Sequence, residues 1–200
     1  MLIPKPCSQF KVIYDDIFAS EKHRCRSYSD HPERPERCRN AAAALYEVDG
    51  VSWAVPSALE SEEGKERAWK AIERVHRDWY VDDIIGICAR GGGDFDSDTF
   101  LSRGTVELCV AAQSAWLDAV DSALGDGVPA FALSRPPGHH ATAGGAMGFC
   151  IFNFAAAAAF YALEACGAKR VAVLDYDVHH GNGVASLIRE EPRIRYCSLH

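Results

Sequence analysis

Hydrophobic and polar positions change period several times along this chain, and the changes mark out its elements. Phe10 to Tyr14 alternates and predicts a first strand, followed by a polar stretch from Asp15 to Asp30. His31-Pro32-Glu33-Arg34-Pro35-Glu36-Arg37 predicts a helix start, where prolines are tolerated because the first N–H groups lack intrahelical partners, and Ala41 to Val48 continues that helix. Lys65 to Arg77 and Trp79 to Ala89 predict two more helices, ended by Gly91-Gly92-Gly93, with an acidic surface loop from Asp94 to Asp98. From Gly104 to Leu124 the apolar spacing of Val106, Val110, Ala111, Ser114, Leu117, Val120 and Ala123 suits a helix lying on a sheet, closed by Gly125 and Gly127. Ala130 to Leu133 predicts a short buried strand, and the alanine-rich run from Asn153 to Cys166 a helix stopped by Gly167. Arg170 to Asp175 predicts a strand, Gly183 to Arg189 a helix and Ile194 to Leu199 a further strand. Strands alternating with helices predict an α/β fold with a mainly parallel sheet. Neither an internal repeat nor a low-complexity tail interrupts it.

At 200 residues, 48% hydrophobic and 24% charged, the chain is long enough for one core, so a single domain over 1–200 is expected. The net charge of -7 argues against a sequence-independent grip on DNA, which depends on Lys and Arg neutralising phosphates; a basic protein tail is the expected polymer partner. The eight cysteines are scattered without a CxxC pair, which argues for reduced, mostly buried thiols rather than a zinc knuckle or a thioredoxin motif. Met1 to Phe10 offers no signal-peptide hydrophobic region, and no apolar run is long enough to span a bilayer. The expectation is a protein of the nucleus or cytoplasm, not secreted and not membrane-bound.

Three segments carry candidate chemistry. Asp175-Tyr176-Asp177-Val178-His179-His180-Gly181-Asn182-Gly183 follows a strand, and ligands in α/β sheets gather outside the carboxyl ends of strands. If the extended conformation persists, Asp175, Asp177 and His179 project to one side, so one carboxylate and one imidazole can meet a metal. The plainer alternative is a polar loop capping the next helix at Asn182 or Gly183. Arg135-Pro136-Pro137-Gly138-His139-His140 also follows a strand, so two loops from neighbouring strands are expected to face each other across one small cavity. A water attacking an amide needs a base and a departing amine needs an acid, and histidine serves both near neutral pH; a lone His pair is also often structural. Asp175 and Asn182 are the available partners for the two far ring nitrogens. A carboxylate partner raises its histidine's basicity more than an amide does, so the two rings are expected to titrate apart. Gly144-Gly145-Ala146-Met147-Gly148-Phe149-Cys150 is not a phosphate loop, lacking GK[ST], but its glycines allow close backbone approach. Phe149 at its mouth is either an apolar wall for an aliphatic chain or a core residue at a helix start.

Taken in order, Arg135-Pro-Pro-Gly-His-His-Ala141, Met147-Gly-Phe-Cys-Ile-Phe-Asn153 and Asp175-Tyr-Asp-Val-His-His-Gly-Asn-Gly183 resemble the signature blocks of the zinc-dependent histone deacetylase family. The His31 to Arg37 segment, the Gly91 to Thr99 loop, and Asn182 in place of an aspartate resemble class II members and related bacterial amidohydrolases. The resemblance implies a three-layer α-β-α fold of the arginase/deacetylase type, incomplete at its C-terminus, and hydrolysis of the acetyl amide of acetyl-lysine in a histone tail or other basic protein. It implies Asp177 and His179 as two zinc ligands, with a third, an aspartate, falling after His200. It further implies His140 as general base and acid oriented by Asn182, and His139 as its electrostatic companion oriented by Asp175. Phe149 and Gly148 are implied at the wall of the acyl-lysine tunnel, and Asp98 as a carboxylate holding the substrate backbone. A structural potassium ion is implied near Asp175, Asp177, His179, Ser198 and Leu199. Phe154, where many relatives have Asn, and Tyr176, where class II relatives often have Trp, depart from the pattern without touching this chemistry.

Three functions are therefore carried forward: a protein lysine deacetylase, a hydrolase of acetylpolyamines or other small amides, and a non-catalytic shortened form. With two ligands in its 200 residues, the chain is expected to bind zinc poorly, to be inactive alone and, with a sheet edge left open, to be marginally stable and prone to aggregate.

Overall fold

The computed structural model describes residues 10–26 and 30–200; the readings made on Met1–Phe10 and on Cys7 lie wholly or mostly outside them. The first strand, β1 (Phe10–Ile13), is paired on both sides and its Val12 and Ile13 are fully buried, so it is the centre of the N-terminal sheet. On one side lies β2 (Val51–Ala54) and on the other β5 (Ala130–Ala132), both parallel to it in the order β2-β1-β5. Farther along, β6 (Val171–Asp175) pairs in parallel with β7 (Ile194–Ser198), from Val171 opposite Ile194 to Asp175 opposite Ser198. A small antiparallel hairpin of β3 (Gly92–Asp94) and β4 (Phe100–Ser102) completes the strands.

Helices supply the rest of the core. These are α1 (Glu36–Tyr46), the single turn α2 (Ser57–Glu60), α3 (Glu62–Val75), α4 (Asp78–Ala89), α5 (Thr105–Gly125), α6 (Phe154–Glu164) and α7 (Asn182–Leu187). The long α5 packs on β1 and β5 and against α3 and α6, and α6 in turn packs on β6. Five consecutive alanines, Ala155 to Ala159, let α6 approach these neighbours closely, four of them buried. Its start is fixed by the buried Asn153, whose side chain accepts from Ala156 N–H at 3.0 Å and donates to the Ala141 carbonyl at 2.8 Å. At its end Gly167 takes a positive φ of 73°, and Ala168 N–H returns to the Ala162 carbonyl at 2.9 Å. Among the described residues no helix is long and apolar enough to cross a membrane. Seven described cysteines are free thiols, five of them buried.

One expectation needs correction. The two loops do not come from neighbouring strands: among the described residues β5 and β6 are not paired, and the parallel sheet is in two pieces bridged by α5 and α6. Within the second piece Val171, Val173, Ile194 and Tyr196 turn toward α6 and α7, whereas Leu174 on the other face is 61% exposed. Such an open apolar face promotes self-association. Leu174→Lys is therefore expected to reduce concentration-dependent self-association in sedimentation velocity, and an unchanged distribution would locate the sticky surface elsewhere.

Beneath the site lies a buried charge cluster. Arg135, 1% exposed, donates to both carboxylate oxygens of Glu33, 0% exposed, at 2.7 Å each, and also hydrogen-bonds to the His23 carbonyl. The His23 ring, equally buried, lies 3.4 Å from Glu33 through Nε2 and 2.7 Å from Thr105 Oγ1 through Nδ1. Burial alone would raise the Glu33 carboxyl, but the hydrogen bonds and charges of His23 and Arg135 outweigh it and hold the pKa at about 2. For His23, burial dominates and lowers the pKa against the pull of Glu33. The cluster thus ties the His31 to Arg37 segment to the residue that begins the paired-histidine loop.

Candidate active site

Two loops leaving the carboxyl ends of β5 and β6 meet here. The chain stops being extended at Asp175 and then turns: Asp177 N–H donates to Asp175 Oδ1 at 3.2 Å, and His179 N–H donates to Asp177 Oδ1 at 2.8 Å. Successive side-chain-to-backbone turns, not strand alternation, therefore gather Asp175, Asp177 and His179, which corrects the expected geometry. The loops dock through α7, where Val184 N–H donates to the His139 carbonyl at 3.1 Å. A Cβ on Gly183 would collide with the Ala141 carbonyl and lie 2.6 Å from the carbonyl carbon of His140. Gly183→Ala is accordingly expected to cost about 1–3 kcal/mol, as overpacking does. It should also part the two loops, read as a lower urea midpoint with loss of the downfield imidazole N–H resonance of His140. An unchanged midpoint would show that the loops do not bear on each other there.

Four predicted residues form two dyads. His139 Nδ1 donates to Asp175 Oδ2 at 3.0 Å, and His140 Nδ1 donates to Asn182 Oδ1 at 2.6 Å, so the far nitrogen of each ring is held by one partner. The rings are 4.0 Å apart between centroids, and the ring of His179 lies 6.1 Å from that of His140. Asp175 has a further partner that the sequence reading missed: Tyr196 on β7 donates its hydroxyl to Oδ2 at 2.7 Å and accepts from Gly181 N–H at 2.9 Å. Burial would raise the Asp175 carboxyl, but hydrogen bonds from Tyr196 and His139 prevail and keep it below the ordinary carboxylate value.

The proposed ligands Asp177 and His179 stand on the open side of this pair, their side chains 48% and 73% exposed and 3.1 Å apart. One carboxylate oxygen and one imidazole nitrogen so placed match the donor chemistry of a catalytic zinc, and zinc requires a third protein ligand. Among the described residues no group of three or more His, Cys, Asp and Glu side chains converges. For the implied potassium site, Asp175 and Ser198 are opposite in register and Leu199 N–H donates to the Asp175 carbonyl at 2.9 Å, beside the Asp177 and His179 turns.

Gly148 and Phe149 both take left-handed backbone, with φ of 54° and 68°. A Cβ on Gly148 would lie 2.5 Å from the His140 ring, so glycine permits the loop to lie over that imidazole. Phe149 adopts a conformation that side chains disfavour, a type of strain that gathers at functional sites. Its N–H donates to Thr99 Oγ1 at 3.1 Å, and Thr99 donates to Asp98 Oδ1 at 3.2 Å. The buried His31 packs edge-on against Phe149, centroids 4.8 Å apart, and its Nε2 donates to the Asp98 carbonyl at 3.1 Å. Phe149 and Asp98 are thus held together by two residues outside the predicted set. His76, also missed, donates through Nδ1 to the Thr142 carbonyl and accepts Asn153 N–H at Nε2, both at 2.9 Å. Burial lowers its pKa to about 4, matching a neutral ring that accepts at one nitrogen.

Comparison with known proteins gives a consistent result. A family model described as a histone deacetylase domain matches residues 31–200. An uncharacterized protein of the cyanobacterium Synechocystis is 40% identical over 190 residues, covering 92% of this chain and 60% of the relative. Histone deacetylase 15 of Arabidopsis thaliana is 37% identical, covering 85% of this chain and 30% of the relative. The histone deacetylase-like amidohydrolase of Pseudomonas aeruginosa is 34% identical, covering 85% and 44%. The crystal structure of the HDA15 HD domain superposes with a TM-score of 0.81 at 32% identity, covering 97% of this chain and 53% of that one. The chain spans about a third to three fifths of the length of these proteins.

Proposed function

We propose, for a chain that belongs to the histone deacetylase family, that it carries the acid–base half of a zinc-dependent site that hydrolyses the acetyl amide of acetyl-lysine in a basic protein. The observation that carries the reading is the pair of histidines, each with its far nitrogen hydrogen-bonded, and the ring of His140 lying 6.1 Å from that of His179. Asp177 and His179 would hold the zinc, which when bound polarises the acetyl carbonyl and acidifies a water. His140, its Nδ1 held by the neutral Asn182, would take a proton from the attacking water at Nε2 and return it to the departing lysine amine. His139, backed by the ionised Asp175, supplies a second imidazole alongside, where positive charge is stabilised by the carboxylate. Phe149, with Gly148 lying over His140, gives the methylene chain of the substrate an apolar wall, and the Asp98 carboxylate stands near that wall to receive backbone N–H groups.

The test is turnover of an acetyl-lysine peptide with added zinc. The 200-residue chain alone is expected to be inactive, because two ligand side chains do not retain zinc in a catalytic site. Co-expression with the later part of the histone deacetylase-like amidohydrolase of Pseudomonas aeruginosa is expected to give zinc-dependent turnover that a chelator removes and zinc restores. Chelator-resistant turnover, or a complemented protein that binds zinc without it, would overturn the reading.

A further inference from the structure

At the carboxyl ends of β1 and β2, away from the histidine pair, an open cavity of about 510 Å3 is walled by Tyr14, Tyr46 and Trp53 and edged by Asp15, Asp16 and Glu60. Tyr46 stacks on Trp53 with centroids 4.0 Å apart and 18° between planes, and Tyr14 meets the edge of Trp53 at 6.1 Å and 77°. Tyr46 remains 61% exposed, so a large aromatic surface is open here. One oxygen of each aspartate is engaged locally, Asp15 Oδ1 by Ile17 N–H and Asp16 Oδ1 by the Tyr14 hydroxyl. The remaining oxygens are free to accept. Among the described residues none of the three carboxylates makes an ion pair, and no basic side chain lines the cavity.

We infer that this cavity is a second binding site, for the cationic side chain of an arginine or lysine in a basic peptide. Aromatic rings attract an organic cation through their negative faces, and unpaired carboxylates beside them add charge attraction over a low-dielectric wall. An anion is repelled from such a site, and a neutral apolar group leaves the carboxylates without partners. Position favours a peptide: parallel strands lie about 4.8 Å apart, so β2 ends about 10 Å across from β5, whose loop leads to His139 and His140. A basic segment lying along this strand edge spans from the cavity toward the histidines. The inference goes beyond the hydrolase reading and does not depend on it, because binding is read on this chain without metal or turnover.

The experiment is an amide-resonance titration of the 200-residue chain with Ac-Gly-Arg-Lys-Gly-NH2, with the same peptide carrying citrulline and norleucine, and with spermidine. The basic peptide is expected to shift residues 14–16, 46 and 53–60, to bind more weakly as salt is raised, and to lose affinity about tenfold in Asp16→Asn with Glu60→Gln. These two substitutions keep side-chain size, and Trp53→Phe, which keeps an aromatic face, is expected to retain most of the binding. Equal shifts from the neutral peptide, full affinity in the double variant, shifts confined to other surfaces, or tighter binding of spermidine than of the peptide would each overturn it.

Discussion

Glu33→Ala is expected to lower the stability of this chain by about 3–5 kcal/mol, a large part of the roughly 5–15 kcal/mol that native domains possess. The carboxylate holds the fully buried guanidinium of Arg135, and its loss leaves that charge without a counter-ion far from water. Replacing both partners, as in Glu33→Leu with Arg135→Met, is expected to cost far less, since no charge is then stranded. Urea midpoints with a common slope measure both. A single-variant loss below about 1 kcal/mol would mean that solvent reaches the pair. The same pair sets an acid limit. The folded pKa of Glu33, about 2, lies below its ordinary 4.5, so its contribution is complete above pH 4.5 and is lost as pH falls from 4.5 toward 2. That interval corresponds to about 3 kcal/mol. His76, lowered from 6.5 to about 4, loses its contribution in a higher window, as pH falls from 6.5 toward 4. In the Glu33→Ala variant the lower window should flatten and the upper one remain.

The second large effect concerns chemistry. In the complemented, zinc-loaded protein, His140→Ala is expected to reduce turnover about a thousandfold, the usual worth of a positioned general base and acid, while zinc content stays at one per site. The reason lies in the geometry: His140 is hydrogen-bonded to Asn182 and not to either proposed ligand, so removing its ring subtracts proton transfer without touching Asp177 or His179. Loss of zinc along with turnover would make His140 a ligand. Turnover retained within tenfold would move the proton-transfer role to His139.

The dyads could be read from the sequence because each motif carries its own chemistry at a fixed spacing after an apolar strand. Counting the partners on offer points to Asp175 and Asn182 for the two rings, the family resemblance implies which takes which, and the contacts present are His139 with Asp175 and His140 with Asn182. The long helices and the main parallel strands were equally legible, because their apolar periods run over several turns or end in charge. What escaped were short elements: β2 has four residues with Ser52 in its middle, α2 is a single turn, and β3 lies within glycines that read as a break. Also hidden were contacts that only packing creates. Nothing in the spacing of His31, His76, Thr99 or Tyr196 says that they brace the site, since each reaches it from an element distant in sequence. The gap between β5 and β6 was invisible for the same reason: alternation identifies a strand but not its neighbour.

The hydroxyl that reaches Asp175 from β7 makes strand alignment a matter of chemistry as well as packing. Sliding β7 by one position would offer Arg195 or Cys197 to the carboxylate instead of a phenol, and would bring to the surface the side chains now turned toward α6. A guanidinium there would set a full positive charge against the carboxylate that the imidazole uses, where the phenol brings a neutral donor, and a thiol is too short to reach both Asp175 and Gly181. Only one alignment of the two strands therefore lets the imidazole and the phenol share the same oxygen of Asp175.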